Sequence, residues 1–424
     1  MNKILAMLKP LYSSLKVFDN YPKVEADNVI LFGCHDVNRS MIEKGECFSP
    51  ILEGVKSLVE QDGFTFVNLT HPFAILNNKS IKGGSVTVNY RFLWMRIKLF
   101  LMSRVCKKDY ETYRIELEEA FYNSMLTQLK PQIVFSLQPP LAFCRAARKM
   151  GIKVVELMHF NNISLKDKIF VKHLSIADEL LPNIILSFDK CSYDTVSTLT
   201  QGRDIKSFYI EDAWYNYLKF KGKDSKESEM VISLTGDYDV KVLISLQWGY
   251  DGERDSLSNI IPNGILHPQI EKVISAEKNK NILFLIRLHP IQRLRPWYKH
   301  HVDYINALVS KFPNVEVDIS SSVPLHFLLE DVNFHITMSS SCVGEAALAK
   351  VPSLLLCPSL HIGGENYGLF RELESEGGVE FGVLDDIYIQ NWLKKARVDD
   401  EHTNYDTDEI RRSLKEFYLN LINK

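Results

Sequence analysis

The feature that most constrains this chain is an alternation of short apolar runs with longer helical patterns, which occurs twice along the sequence. The runs predict β-strands, because they are short and are bounded by turn residues. They are nearly free of polar side chains, as is typical of parallel strands covered by helices on both faces. An α/β protein built on parallel sheets is therefore predicted. The strands are predicted at 28–34, 64–69, 132–137, 153–158, 183–188 and 207–210, and then at 241–247, 281–287, 314–319, 333–338 and 353–358.

A polar segment separates the two series of strands. Residues 218–229, YLKFKGKDSKES, contain no cluster of large apolar side chains, which is typical of a linker. A chain of 424 residues exceeds one ordinary core, at about 150 residues per domain. We therefore predict two Rossmann-like domains, at 1–220 and 230–424, which are joined by a linker at 221–229 and face each other across a cleft.

Charge and cysteine usage exclude several classes of function. The formal charge of -3 lacks the basic footprint of a general nucleic-acid binder. The seven cysteines are scattered and have no CxxC spacing, so neither a disulfide framework nor a zinc knuckle is predicted.

Lys9 and Pro10 interrupt the first apolar run, and no small-residue cleavage site follows, which argues against a signal peptide. We expect a mature cytoplasmic protein.

One segment mixes bulky apolar residues with cations. Residues 91–108, RFLWMRIKLFLMSRVCKK, carry six Lys or Arg residues among Phe, Leu, Trp and Met. These charges exclude a membrane span. The segment fits a helix whose apolar face packs on the domain core, which amphipathicity alone favours. It also fits a helix that lies on an anionic membrane surface.

A guanidinium and an imidazole stand at the end of the strand predicted at 281–287. Arg287 closes the strand, His289 follows it, and Pro290 fixes the turn that presents them. A guanidinium and an imidazole at the carboxyl end of a parallel strand can bind a phosphate group. The His-Pro pair alone is not specific, because it recurs at 71–72 and 267–268.

A serine cluster follows the strand predicted at 333–338. Ser339, Ser340 and Ser341 open a helical pattern, and Glu345 lies one turn further on. Hydroxyl and backbone donors at a helix start suit a phosphate, and Glu345 could accept hydrogen bonds from ribose hydroxyls. An ordinary serine N-cap with an acidic first turn has the same pattern. Because RLHP stands on an earlier strand of the same predicted sheet, we favour a nucleotide-phosphate site.

These motifs carry a resemblance to a known group of enzymes. RLHP, followed about fifty residues later by SSSCVGEAALAKVPSLLL, resembles the donor-binding half of bacterial GT-B glycosyltransferases of surface polysaccharides. The likeness is greatest to Kdo transferases of capsule and lipopolysaccharide and to bacterial sialyltransferases, in which a His-Pro and a Ser-Ser motif bind CMP. The segment QWGYDGE, which begins at Gln247, is similar to the Gln-x-x-x-Asp segment that opens their second domain. The resemblance implies a GT-B fold and, as donor, a CMP-activated acidic sugar such as Kdo or a sialic acid.

The resemblance also extends to residues for chemistry. VVELMHFNNIS, at 154–164, is similar to a strand that ends in Glu-x-Gln-His-Gly in the Kdo transferases, with Met158 in place of Gln and Phe160 in place of Gly. Retaining enzymes of that group use an Asp and a Glu as nucleophile and acid/base. The resemblance carries these roles to Asp251 and Glu156.

The requirements of glycosyl transfer give a wider set of candidates. The leaving nucleotide must be neutralised, and a base or a carboxylate must act at the reacting centre. His159 stands at a predicted strand end, and Asp36 or His35, in the polar loop after the first strand, is the rival general base of an inverting enzyme. Gln138 and Glu365 are further candidates. Ordinary turn and loop chemistry explains the same residue types.

No metal or cofactor is predicted. The sequence has no HExxH motif and no DxD beside a strand end, and it lacks the GxGxxG and GxxxxGK[ST] motifs of dehydrogenases and P-loop proteins. We therefore predict a cytoplasmic GT-B glycosyltransferase, peripheral at the inner membrane, which transfers a sugar from a nucleotide donor to a glycan or lipid-linked glycan acceptor. The alternatives are a UDP-sugar-dependent transferase or epimerase, a polyol-phosphate transferase, and a non-catalytic glycan-assembly scaffold.

Overall fold

The computed structural model divides the chain into two compact units. The described residues are 12, 15–16, 18–20, 29–33, 41–43, 46–59, 66–70, 80–81, 85–105, 110–158, 163–210, 226–250, 259–277, 281–374, 378–395, 412–413, 415–417 and 419–420. Unit 1 comprises Met1–His159, Lys168–Tyr217 and Asp406–Lys424, and unit 2 comprises Phe160–Asp167 and Leu218–Tyr405. Residues 160–167 thus belong to unit 2 and residues 406–424 to unit 1.

Unit 1 is built on a parallel sheet. Its strands are β1 (Val29–Gly33), β2 (Met41–Glu43), β3 (Glu46–Phe48), β4 (Phe66–Thr70), β5 (Ser80–Ile81), β6 (Ser85–Val86), β7 (Ile133–Leu137), β8 (Lys153–Leu157), β9 (Ile184–Ser187) and β10 (Lys206–Tyr209). Seven of them pair in the order β10-β9-β8-β7-β1-β4-β6, all parallel, while β2, β3 and β5 form a small second sheet. The chain thus starts inside the large sheet, builds one side and then returns to build the other.

The helices of unit 1 cover this sheet. They are α1 (Pro50–Val59), α2 (Asn89–Val105), α3 (Tyr110–Leu129), α4 (Leu141–Lys149), α5 (Lys168–Leu174) and α6 (Lys190–Thr200). Pro140 precedes α4, and Gly151 lies just beyond its end with a φ of +70°, a conformation that glycine adopts without strain. Tyr122 of α3 and Phe143 of α4 meet edge to face at 5.2 Å in the core.

Unit 2 contains a second parallel sheet. Its strands are β11 (Val240–Ser245), β12 (Ile282–Arg287), β13 (Val315–Glu316), β14 (Phe334–Thr337), β15 (Ser353–Leu355) and β16 (Val379–Phe381). They pair in parallel in the order β13-β12-β11-β14-β15-β16, which is the doubly wound order of a Rossmann fold. The order reverses between β11 and β14, and ligands of such sheets bind at the carboxyl ends of the strands at this switch point.

The helices of unit 2 are mostly short. They are α7 (Lys226–Thr235), α8 (Pro268–Ala276), α9 (Pro290–Leu294), α10 (Lys299–Lys311), α11 (Asp318–Ser322), α12 (Leu325–Leu329), α13 (Cys342–Leu348), α14 (Arg371–Glu374) and α15 (Asp386–Lys395). Helix α7 begins inside the segment expected to be a linker, with Glu227 and Glu229 in its first turn, where acidic side chains are favourable. The rest of the expected linker, 218–225, lies outside the described residues.

Each predicted run is matched by a strand, whereas the short strands β2, β3, β5, β6 and β16 were not predicted. Strands lie within or beside every predicted run, with ends shifted by up to three residues. The prediction of a strand over 314–319 is wrong beyond Glu316, because α11 starts at Asp318. The Glu316 carboxylate accepts hydrogen bonds from the backbone N–H groups of Ile319, at 2.5 Å, and Ser320, at 2.9 Å. These bonds satisfy donors that a helix start leaves open, so the chain turns into a helix here.

A histidine lies inside the second sheet. His335, on β14, places its Nε2 atom 3.0 Å from the Ser245 hydroxyl and its Nδ1 atom 2.9 Å from the Ser353 hydroxyl. Both serines are on the neighbouring strands. Burial lowers the pKa of His335 to about 3, so the imidazole is neutral in the folded protein.

Candidate functional site

Three strand-end segments of unit 2 are joined by hydrogen bonds at one edge of the sheet. Gln247 follows β11, and Ser339 follows β14, its neighbour across the switch point. The Gln247 side-chain oxygen accepts a hydrogen bond from the Ser339 backbone N–H at 2.7 Å and lies 3.3 Å from the Ser339 hydroxyl. The two segments are therefore held together where a Rossmann-type sheet binds its ligand.

Gln292 links the third segment to the other two. Its side-chain oxygen accepts the backbone N–H of His289 at 2.8 Å, and its Nε2 atom lies 3.4 Å from the Gln247 carbonyl oxygen and 2.8 Å from His301 Nδ1. The side chain is 1% exposed, so these bonds form away from water. Gln292 is not among the residues predicted from the sequence. The available signal was its place three residues after the helix N-cap, the spacing of a capping box.

His289 has a structural role at this edge. It is the N-cap of α9, where its Nδ1 atom accepts the backbone N–H of Ile291 at 3.2 Å, and Pro290 takes the first helical position. An Nδ1 atom that accepts a hydrogen bond carries no proton, so the neutral ring is protonated at Nε2. Nε2 can therefore act as a donor to an anion. The Trp248 ring lies 6.4 Å from the imidazole.

The other His-Pro pair of unit 2 has the same local structure. His267 is the N-cap of α8, and its Nδ1 atom accepts the backbone N–H of Gln269 at 3.2 Å. A His-Pro pair is thus a helix cap in both places. The feature that distinguishes His289 is its link through Gln292 to the ends of β11 and β14.

The Arg287 side chain is hydrogen-bonded to backbone carbonyl groups of unit 2. Its Nη1 atom donates to the carbonyl oxygens of Ser320, at 2.5 Å, and Val323, at 2.7 Å, so the guanidinium ties β12 to α11. Burial lowers the pKa of Arg287, which is an arginine and so stays charged at neutral pH. The charge acts on Glu345, since Arg287 is the main group that opposes the rise in the pKa of that carboxyl.

The serine cluster supplies donors at the end of β14. The buried Ser340 hydroxyl accepts the backbone N–H of Cys342 at 3.3 Å, while Ser341 is the N-cap of α13 with no side-chain capping bond. Within the described part of the chain, the backbone N–H groups of Ser340 and Ser341 have no acceptor. The helix has only seven residues, so these individual donors matter more than a helix dipole.

Glu345 is an unusual carboxyl group for its position. It lies half-buried in the first turn of α13, and burial raises its pKa to about 7. The neutral and ionised forms are then nearly equally populated at neutral pH. The neutral form of Glu345 can donate a hydrogen bond to a hydroxyl group, such as those of ribose, and the ionised form can accept one from it.

In unit 1, Glu156 is the described candidate for chemistry. It lies near the carboxyl end of β8, where its residue pairs with Ser136 of β7, and it is 6% exposed. Burial raises its pKa to about 7, which is the range that suits a general acid or base at neutral pH. Gln138, just after β7, has a φ of +50°, an uncommon backbone conformation at a strand end.

Several predicted site residues lie outside the described residues. They are His35, Asp36, His159 and Asp251. Glu365 is exposed in the turns that follow Leu360. In that loop, a Cβ atom on Gly364 would stand 2.2 Å from the Ser359 carbonyl oxygen, so close packing explains this glycine. Among the described side chains, no group of three or more His, Cys, Asp or Glu residues is placed to hold a metal ion.

The two Rossmann-like sets of parallel strands give this α/β chain the GT-B fold, so the predicted fold class is confirmed. Among solved structures, the chain is similar to MnaA of S. aureus with UDP, with a TM-score of 0.56 and 11% identity over 93% of this chain and 97% of that chain. It is also similar to the UDP-GlcNAc 2-epimerase of Neisseria meningitidis bound to UDP-GlcNAc, with a TM-score of 0.53 and 12% identity over 92% and 99% of the two chains.

The wall teichoic acid polymerase TagF with CDPG is a further similar structure, with a TM-score of 0.51 and 11% identity over 100% of this chain and 92% of that chain. No protein-family model matches the sequence, and no curated protein matches it. At these identities the likeness is one of fold.

Proposed function

We propose that this protein is a glycosyltransferase that moves a sugar from a nucleotide donor to a bacterial surface glycan. The observation that supports it most is the hydrogen-bonded junction of Gln247, Gln292 and Ser339 across the switch point of unit 2. A doubly wound sheet binds nucleotides at this place. A CMP-activated acidic sugar, such as Kdo or a sialic acid, is the preferred donor because RLHP and the serine cluster resemble CMP-binding motifs.

Each predicted donor-site residue has a proposed role. His289 donates from Nε2 to a phosphate oxygen, and the backbone N–H groups of Ser340 and Ser341 donate to the same group. Glu345 binds the ribose hydroxyls. The remaining residues act by holding the three strand-end segments in place. The hydrogen bonds of Gln247, Ser339 and Arg287 do so directly. Pro290 does so by starting helix α9.

The chemical step is assigned by resemblance and by pKa. Glu156 serves as acid/base, which its pKa of about 7 suits. Asp251 is proposed as the nucleophile of a retaining enzyme, with His159 as a further proton-transfer group. Asp36 is the general base if the enzyme inverts the anomeric centre.

A nucleotide screen tests the proposal. CMP, UDP and CDP are added separately, and the unfolding temperature is recorded. A ligand at a hundred times its Kd stabilises the folded state by about 2.7 kcal/mol, which corresponds to a shift of several degrees. CMP is expected to give the largest shift. No shift with any nucleotide would contradict a nucleotide-sugar enzyme and favour a scaffold.

An epimerase that acts on a UDP-sugar is the second candidate. The observation that favours it is the fold likeness to UDP-GlcNAc 2-epimerases, two of which are described with UDP-GlcNAc. Incubation with UDP-GlcNAc, followed by NMR of the sugar anomeric protons, tests it. Appearance of a second UDP-sugar together with a UDP-selected thermal shift would replace the first proposal.

The location is also proposed. We place the enzyme in the cytoplasm, peripheral at the inner membrane, where a lipid-linked glycan acceptor would be available. The cation-rich segment at 91–108 supports this assignment. Within the described residues, no helix is both long enough and apolar enough to cross a bilayer.

A further inference from the structure

Helix α2 is apolar on two opposite faces. Met95 and Leu99 are buried, at 5% and 1% exposed, and they hold the helix on unit 1. Trp94, Phe100 and Leu101 are 65%, 56% and 57% exposed. Packing on the core therefore accounts for one face only. The opposite face is left open for the other alternative from the sequence, contact with an anionic membrane surface.

The exposed apolar side chains form one continuous face. On a helix of about 3.6 residues per turn, Ile97 lies opposite the midpoint of Met95 and Leu99. Trp94 and Leu101 lie on one side of Ile97 and Phe100 on the other. We call the surface formed by Trp94, Ile97, Phe100 and Leu101 the outer face of α2.

Cations border the outer face on both sides. Arg91 and Lys98 lie beyond Trp94, and Arg96 lies beyond Phe100; all three are exposed. Arg104 is exposed at the end of the helix and stacks its guanidinium over the Phe100 ring at 4.4 Å. The helix contains no acidic residue, and Glu118 of α3 is 3.8 Å from Arg96.

An N-terminal segment extends this surface. Phe18, 75% exposed, stacks on Tyr90 of α2 with ring centroids 5.5 Å apart. The Asp19 carboxylate accepts the backbone N–H groups of Tyr90, at 2.8 Å, and Arg91, at 2.9 Å, and so caps the start of the helix. The helix and its aromatic extension are thereby fixed on unit 1.

We propose that the outer face of α2 is a docking surface for a bilayer that contains anionic phospholipid. Apolar side chains that include a tryptophan, bordered by Lys and Arg, fit the boundary between headgroups and acyl chains. The apolar face enters the acyl region, and the border cations pair with lipid phosphates. A helix that carries four exposed cations and no acidic residue of its own matches a uniformly anionic surface better than it matches the mixed charges of a typical protein surface. The proposal gives a specific surface to the proposed membrane location and rests on it, but it does not depend on the donor sugar.

Vesicle binding tests the surface. The full-length protein is sedimented with phosphatidylcholine vesicles and with vesicles that contain about one third phosphatidylglycerol, a composition that mimics an anionic leaflet. The wild-type protein is expected to bind the anionic vesicles and to be released by high salt. The triple variant Trp94→Ser/Phe100→Ser/Leu101→Ser is expected to bind these vesicles at least about tenfold more weakly than wild type, because it loses the apolar contact.

A matched control separates this surface from exposed apolar area in general. Ile169→Ser/Ile232→Ser/Ile362→Ser removes three side chains that are 83%, 59% and 87% exposed elsewhere on the chain, and it should bind like wild type. A charge variant, Lys98→Glu/Arg104→Glu, should lose binding to anionic vesicles while its folded state is retained. The CMP-dependent thermal shift, measured on every variant, reports folding and donor binding separately from lipid binding.

Three outcomes would overturn the proposal. One is a wild-type protein that does not sediment with anionic vesicles. A second is equal binding by the outer-face variant and its matched control. The third is a concentration-dependent dimer that the triple variant abolishes, because the outer face would then be covered by a second copy of the chain. None of these outcomes depends on which nucleotide binds.

Discussion

At the scale of single residues, the proposed donor site is made of groups that also hold the fold together. His289 caps a helix through Nδ1, and this bond determines that the neutral ring carries its proton on Nε2. Glu156 and Glu345 are kept partly neutral by burial. A substitution that removes one of these functional groups therefore also disturbs the structure. Each experiment needs a variant that changes either the proposed ligand contact or the structural contact, but not both.

Substitutions at His289 separate the cap from the donor contact. His289→Asn keeps a side-chain acceptor for the helix start, whereas His289→Ala loses it at a cost of about 1 kcal/mol in the free energy of unfolding. Both variants should lose most of the nucleotide-dependent thermal shift. His267→Ala removes the equivalent cap of α8 and should lose similar stability but keep the shift. A full shift in His289→Asn would mean that His289 is only a cap.

A pH-dependent difference is expected for Glu156→Gln. The pKa of Glu156 in the folded state is raised to about 7 from an ordinary 4.5, so the stability that it contributes is present below pH 4.5 and is lost as the pH rises through 7. The variant should exceed wild type in the free energy of unfolding by at most about 3 kcal/mol at pH 8 and by much less at pH 5. Urea denaturation at both pH values measures the difference. Exposed Glu229→Gln is the control, and a pH-independent difference for Glu156→Gln would contradict the assigned burial effect.

At the scale of elements, the ends of β11, β12 and β14 act as one structure. Gln292 connects them because one amide side chain contacts the backbone of two segments and the ring of His301. The remaining bond, from Ser339 to Gln247, closes the set across the switch point. The strand-end segments are thus positioned before any ligand arrives, which lowers the entropic cost of binding.

Gln292→Ala tests this positioning role. The variant leaves buried partners unsatisfied and should lose about 1–3 kcal/mol in the free energy of unfolding. It should also weaken nucleotide binding by about tenfold in a calorimetric titration, because His289 and Gln247 lose their shared anchor. Asn314→Ala is the matched control, since the buried Asn314 amide bonds the Ile282 carbonyl at the other end of β12. If both variants lose affinity equally, the effect of Gln292 is one of general stability.

At the scale of the whole molecule, nucleotide binding should produce a local pattern of protection. Hydrogen exchange followed by mass spectrometry should slow with CMP at the segments that follow β11, β12 and β14, because their backbone groups become ordered or bonded. Peptides from α3 and from β13 serve as internal references and should not change. Uniform protection along the chain would contradict a site confined to these strand ends.

The sequence predicted the sheets well because their strands are apolar on both faces, so that runs such as 132–137 and 281–287 have no helical alternative of sufficient length. It failed at 317–319, where a carboxylate on the preceding residue captures two N–H groups, a contact that no periodicity records. It also missed Gln292, because the role of this residue depends on its burial between two loops, where it bonds both of them. The ambiguity of His-Pro is resolved only by tertiary contacts, since His267 and His289 are the same motif locally.

The histidine inside the second sheet has a practical consequence. His335 takes up a proton on unfolding at any pH between its folded pKa of about 3 and the ordinary value of 6.5. Over that interval each pH unit of acidification removes about 1.4 kcal/mol from the stability of the folded state through this group. A loss of signal in acidic buffer would therefore include loss of the folded state through His335, so a pH profile of this protein has to be compared with its unfolding curve at the same pH.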